Sequence, residues 1–302
     1  MATPGPVSAG AARRTRMLAR RLTESRPAML GLLLVLVVAV SAAGAPLLAP
    51  YSPYEQDIRA RLKPPGWRGP DGGIRLLGTD GLGRDVLSRI MYGARVSLLV
   101  ALATVPISLL LGVTLGITAG YAGGQVDRVI MRLVDIQLAI PFILLTLAVI
   151  AVLGPSLPNL ILTLGITGWL TYARVIRAET MSIRRLEYVM AARALGATSW
   201  RIVTRHIAPN VLSSVVVLAT LQVPGIVIGE ASLSFLGLGV QPPNPTWGGM
   251  LSEGRQYVWT AWWLVTFPGL ALTLAVLGVN LLGDWMRDMF DPRLRRQLGS
   301  KW

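Results

Sequence analysis

Residues 136–173 read IQLAIPFILLTLAVIAVLGPSLPNLILTLGITGWLTYA, 38 positions without one Asp, Glu, Lys, Arg or His. As one helix, at 1.5 Å per residue, this run would be about 57 Å long. A hydrocarbon core of ~30 Å needs only roughly 20 helical residues. The run must therefore fold back on itself, and Gly154-Pro155-Ser156-Leu157-Pro158-Asn159 supplies the break. Its two prolines lack amide donors, and glycine and asparagine tolerate turn dihedrals. A tight helical hairpin results, because hydrocarbon offers no water to unpaired N–H and C=O groups.

The same count applied outward finds four more uncharged runs, at 27–54, 96–126, 206–229 and 256–283. Another, 231–252, contains Gln241-Pro242-Pro243-Asn244-Pro245, whose prolines end any helix; it reads as an outer loop able to dip back into the bundle. The expected architecture is an all-α polytopic membrane bundle of about six transmembrane helices, in one unit with tails. Composition agrees, since 15% of the 302 residues are charged where a soluble domain carries roughly a quarter.

The formal charge of +14 fits either nucleic-acid binding or basic loops facing an anionic leaflet. Its distribution favours the second, because 20 of the 29 basic residues lie in the N-terminal tail, from Arg287 to the C-terminal end, in the loop holding Arg128 and Arg132, and in 174–210. The positive-inside rule then places both termini in the cytoplasm, while 51–95 is long enough to cross with less regard to its charges. Trp247, Tyr257, Trp259, Trp262 and Trp263 are expected at the outer interface. The apolar stretch 28–49 exceeds the roughly 7–15 residues of a cleaved signal peptide, so it is read as the first span.

Several chemistries are disfavoured. The chain has no cysteine and a single histidine, His206, so it offers neither a thiolate site nor a histidine cluster for a metal. No Walker A sequence occurs, and no nucleophile–base pair suggests an intramembrane enzyme. An ion-coupled secondary transporter would usually show several intramembrane charges and an internal repeat; the chain shows one clear charge, Glu230. That carboxylate must face the bundle interior or water, either contacting substrate in a pathway or hydrogen-bonding a hydroxyl or an amide such as Asn280. Gly112, Gly116 and Gly120, four apart, form a face on which another helix can pack closely.

The segment 174–210 has a helical period. Leu186, Met190 and Ala194 share one face, and Tyr188, Ala191, Ala192 and Leu195 cover another flank. Gly196 is placed to stop this helix at a left-handed C′ position. Thr198 or Ser199 can cap a second helix carrying Ile202, Val203 and Ile207 and ending near Pro209. Two readings fit: a projection that docks on a partner, or an amphipathic helix lying on anionic lipid through Arg184, Arg185, Arg201 and Arg205.

Within this segment, Glu187-Tyr188-Val189-Met190-Ala191-Ala192-Arg193-Ala194-Leu195-Gly196-Ala197, followed by Arg205-His206-Ile207-Ala208-Pro209-Asn210, closely resembles the EAA loop of ABC importer permeases. Met190 stands where that motif usually has glutamate, and Ala208 where leucine is common. Leu77-Gly78-Thr79-Asp80-Gly81-Leu82-Gly83-Arg84-Asp85 and its continuation to Ser97 resemble the block before the core spans of the C-type permease of dipeptide, oligopeptide and nickel importers. Glu230-Ala231-Ser232-Leu233-Ser234-Phe235 to Gly239, with Pro245-Thr246-Trp247-Gly248-Gly249, and Gly283-Asp284-Trp285-Met286-Arg287-Asp288 with Asp291-Pro292-Arg293 are similar to later blocks of that family. The blocks fall in family order and cover roughly residues 28–296.

The resemblance implies a type I (MetI-like) permease core and a non-catalytic subunit of an ATP-driven importer in a bacterial cytoplasmic membrane. It further implies a coupling helix that fits a cleft of an ATPase subunit through Glu187, Met190, Ala191, Ala192, Leu195, Gly196, Arg205 and Pro209. Two ATPase subunits would hold the ATP and Mg, with no cofactor on this chain; a second, B-type permease, a substrate-binding protein and membrane lipid would be the other partners, and nucleic acid would not. Di- or oligopeptides are the expected cargo, with nickel chelates, glutathione and oligosaccharides carried by the same class. The chain divides into an N-terminal tail (1–27), a first span with an outer segment (28–95), a permease core with the coupling loop 174–210 (96–290) and a C-terminal tail (291–302).

Overall fold

A computed structural model of the chain describes residues 22–70 and 72–290. Most of both basic tails and the Asp291-Pro292-Arg293 block lie outside the described residues.

Helix α1 spans Arg26–Leu48, opened by Ser25, whose hydroxyl accepts from the Ala28 amide at 3.4 Å, with Pro27 in the first turn. A small lobe follows. It holds a two-residue hairpin, β1 (Trp67–Arg68) antiparallel to β2 (Ile74–Arg75), and a tight turn closed by pairing of Thr79 with Asp85. Asp85 then caps α2, its carboxylate accepting from the Ser88 amide at 2.8 Å. Burial raises the Asp85 pKa, against the lowering effect of the Ser88 bonds.

Helix α2, Val86–Ala122, has 37 residues, about 55 Å of helix. It begins ten residues earlier than the uncharged run and is longer than a ~30 Å hydrocarbon core requires. The fold-back expected at 154–159 is present: α4 (Phe142–Leu153) and α5 (Leu157–Thr167) flank Gly154, which has φ +82°. Ser156 caps α5, and the Asn159 amide closes the hairpin by donating to Leu153 O at 2.7 Å and Gly154 O at 3.0 Å.

The third crossing differs from expectation. With 12 residues, α4 is only about 18 Å long. It is preceded by an amphipathic helix, α3 (Gly124–Leu138), bent 91° from it. Among the described residues five helices are long and apolar enough to cross a membrane, and the bent α3–α4 pair makes a sixth if it is counted as one span. The bend falls at Pro141, whose ring withholds an amide donor.

The fourth span also runs on. Helix α6 (Trp169–Ile183) continues α5, so residues 174–183 belong to the bundle rather than to a loop. Tyr172, Ala173, Ile176 and Thr180 are buried against α2. After a turn come α7 (Glu187–Ala194) and α8 (Ser199–Ile202), the latter capped by Thr198. Pro209 does not end the second helix. A π-helical turn, Val203–Ile207, leads into α9 (Ala208–Phe235) with Pro209 in its first turn. The missing proline amide is harmless there, and the wider π turn precedes the ring that would otherwise crowd the carbonyl four residues back. Within the expected outer loop, helix α10 (Trp247–Gly254) packs against α9 and α11 (Trp263–Phe290), the last helix of the bundle.

The outer aromatics divide. Trp259 is 95% exposed and Trp262 half exposed, but Trp247 and Trp263 are buried. Their indole N–H groups donate to Ile90 O at 3.1 Å and Thr79 O at 3.2 Å. Both are packing anchors, Trp247 among α1, α2, α9 and α11 and Trp263 under the lobe, and a buried indole needs such a partner for its N–H.

Candidate coupling site and membrane core

Val189 anchors the projecting helix α7. It is 3% exposed and packs with Ile183, Ile202 and Ile207, against Ile117 and Tyr121 of α2. Sequence periodicity missed it, because Leu186, Met190 and Leu195 look equally apolar. Those three are exposed, as are Tyr188 and Trp200. Glu187, Ala191, Gly196, Arg205 and Pro209 are exposed too, and Ala192 is half-buried. The projection thus presents an unpaired apolar surface away from the bundle.

Gly196 ends α7 with φ +82°. The Ala197 amide donates to Ala192 O at 3.1 Å and the Gly196 amide to Arg193 O at 3.0 Å, both bonds of a Schellman cap. At the base, Arg184 donates to Gly120 O at 2.8 Å and Tyr121 O at 2.9 Å, satisfying carbonyls at the C-terminus of α2. Arg193 lies over the Tyr121 ring at 5.7 Å. Arg177 of α6 grips Asp127 of α3 through two guanidinium nitrogens. The base of the projection is therefore tied to the end of α2, and α6 above it to the start of α3.

The glycine face packs as expected. A Cβ at Gly112 would lie 2.5 Å from Trp169 O, at Gly116 2.8 Å from Ala173 O, and at Gly120 2.7 Å from Arg177 O. These approaches hold α2 and α6 at backbone contact. Glu230 is fully buried, accepting from Ser97 at 2.9 Å and Ser234 at 2.7 Å. Its partners are hydroxyls of α2 and α9; Asn280 is exposed on α11 and is not among them.

At the other end of α2 lies an ion-pair cluster that includes residues of the Leu77 to Ser97 block. Arg84 Nε meets Asp80 at 2.7 Å and its Nη2 meets Glu253 at 2.8 Å. Arg89 pairs with Asp80 and reaches Glu253 at 2.6 and 3.1 Å. Asp80, Arg84 and Arg89 are buried. Glu253 lies 164 positions from Arg89, so no local pattern could have joined them.

Residues 112–296 match the family described as binding-protein-dependent transport system inner membrane component, and residues 14–65 match the N-terminal transmembrane domain of oligopeptide transport permease C. The chain is 44% identical over 272 residues to the di/tripeptide transport system permease protein DppC of Pseudomonas aeruginosa, covering 90% of each. It is 47% identical to the dipeptide transport system permease protein DppC of Escherichia coli K12, over 90% of this chain and 91% of that one.

The chain belongs to this inner-membrane permease family.

The fold agrees. Inward-facing structures of the MetNI methionine ABC transporter superpose with TM-scores of 0.53 and 0.54, at 20% and 21% identity, over 67% of this permease and 96% of that chain. In the permease, the matched region 112–296 begins inside α2 at the first glycine of the packing face. It includes α7 with its Schellman cap and the short helix α10. The ion-pair cluster joins the lobe before that region to a helix within it.

Proposed function

We propose that this permease subunit imports di- or oligopeptides, drawing on ATP hydrolysed by partner subunits. The supporting observation is kinship with permeases named for dipeptides and di- and tripeptides, over nine-tenths of both chains. In this reading α7 faces the cytoplasm, as the arginine distribution favours, and the lobe 49–85 with α10 faces outward toward a substrate-binding protein. The chain itself binds no ATP or Mg; two ATPase subunits hold them, and a B-type permease completes the pathway.

Closure of the ATPase pair pushes on α7 through its exposed Met190, Ala191 and Leu195 and the flanking Glu187 and Arg205. The push cannot be absorbed at α7, since Val189 is wedged in the apolar cluster beneath it and Arg184 holds the end of α2. It passes to α6, locked to α2 along the glycine face, and through the π turn and Pro209 to α9. The spans tilt and open the pathway alternately to each side. No step of this cycle asks the chain for a nucleophile or a metal.

The test is uptake of labelled dialanine by a strain deleted for this chain, with and without the chain restored from a plasmid. Dipeptide uptake should fall to background and return on restoration. Unchanged peptide uptake, with loss instead of nickel, glutathione or oligosaccharide uptake, would replace the cargo. Purified alone, the chain should hydrolyse no ATP, and it should co-purify with ATPase subunits from its host.

A further inference from the structure

A cavity of about 390 Å³ opens midway along the bundle, between α2, the α3–α4 elbow, the α5–α6 junction and α9. Its size falls within the roughly 300–1,000 Å³ of ligand pockets. Two interruptions of helical backbone converge on it, and a proline-bearing turn of α9 faces them. Ile140 and Pro141 at the 91° elbow line it, as does Gly168 where α5 gives way to α6, and Gly225 lies beside Pro224 in α9. Broken backbone at membrane depth persists only where protein buries it or where it lines a wet cavity. A Cβ at Gly225 would meet nothing within 4 Å, so that side is open space.

The lining holds no Asp, Glu, Lys, Arg or His. Its polar groups are hydroxyls and amides, among them Ser108, Gln137, Thr171, Tyr172 and Gln222. Some are already committed: Ser108 donates to Gly165 O, and Gln137 bonds to Thr167 O and the Trp169 indole. Tyr172 is fully buried and its hydroxyl has no hydrogen-bond partner among the described residues, a state that costs free energy unless something polar enters. Glu230, the buried carboxylate nearby in α9, does not line the cavity and is occupied by two serines.

We propose that this cavity is the chain's own share of the peptide route, and that its uncharged lining hydrogen-bonds the peptide backbone through Tyr172, Thr171 and Gln222 while ignoring side-chain charge. A fixed charge here would favour one sign of cargo and repel the other. Without one, cationic, anionic and neutral peptides pass alike. The proposal rests on the peptide-importer reading and adds where in this chain the cargo sits and why its charge goes unread.

The test uses the complete transporter reconstituted in vesicles with its binding protein, and the probes Lys-Ala, Glu-Ala and Ala-Ala. The wild type should carry all three at similar rates. Gln222→Glu should raise Lys-Ala and lower Glu-Ala transport, and Gln222→Lys the reverse, each by roughly ten-fold relative to Ala-Ala, the size expected of unit charges about 10 Å apart at an effective dielectric near 20. Because the chain has no cysteine, Gln222→Cys and Thr171→Cys also give clean labelling sites, and Ala-Ala should protect both from a small alkylating reagent. Wild-type vesicles carrying none of the peptides would sink the peptide reading and this inference with it. Wild-type transport with unchanged charge preference in both charged variants, or alkylation blocked equally with and without peptide, would overturn this inference alone. If the charged variants fail to assemble, the cysteine protection decides.

Discussion

At Gly196 the demand is purely conformational. Its φ is +82° and a Cβ there would meet nothing within 4 Å, so a side chain is excluded by backbone preference and not by space. A β-branched residue in this region costs about 1–2 kcal/mol, enough to unwind the cap and misplace the exposed end of α7. Gly196→Val should abolish uptake while leaving the amount of membrane-inserted protein unchanged, and Gly196→Asn, which tolerates left-handed backbone, should retain most of it. Full uptake in the valine variant would discredit α7 as a coupling element. Glu230 makes the opposite kind of demand, since its carboxylate satisfies two buried hydroxyls. Glu230→Leu leaves both without this acceptor, at about 1–3 kcal/mol for each buried group unsatisfied, and should lower the melting temperature in detergent clearly more than Glu230→Gln does. Equal melting temperatures for the two variants would show that the hydroxyls do not depend on this acceptor.

At the scale of elements, α2 and α6 act as one unit because glycines remove everything between their backbones. Gly116→Leu would drive a side chain into Ala173 O, already 2.8 Å from where a Cβ would sit. Overpacking of this kind costs typically ~1–3 kcal/mol, occasionally more. The variant should elute as an aggregate or melt well below the wild type, whereas Gly269→Ala, whose Cβ has its nearest neighbour at 3.8 Å, should be near neutral. Comparable melting curves would mean that the two helices do not rely on close approach. Arg184 ties the base of the projection to the last carbonyls of α2, so in the proposed cycle a displacement of α7 would reach that 37-residue helix.

Across the whole molecule, the cluster of Asp80, Arg84, Arg89 and Glu253 fastens the lobe before α2 to the short helix α10. Arg89 is 3% exposed, and removing one partner of a buried ion pair costs about 3–5 kcal/mol, mostly for the charge left behind. Glu253 has a 41% exposed side chain, so water softens its loss. Arg89→Met should therefore destabilise more than Glu253→Leu, and the double variant should fall short of the sum of the two, as a double-mutant cycle on melting temperature would reveal. Strict additivity would mean that the pair is not coupled.

Hydropathy, breakers and caps were enough to read the membrane bundle, the fold-back at Gly154 to Asn159, the close-packing glycines and the left-handed end of α7, because each depends on residues within a few turns of one another. The short α4 and its 91° elbow, the burial of Trp247 and Trp263, the passage of the chain through Pro209 by a π turn, the choice of Val189 as anchor and the pairing of Arg89 with Glu253 were decided only in three dimensions. Those features depend on what lies across the bundle, and whether an apolar side chain is buried or a charge is paired is settled by neighbours that the local pattern does not specify.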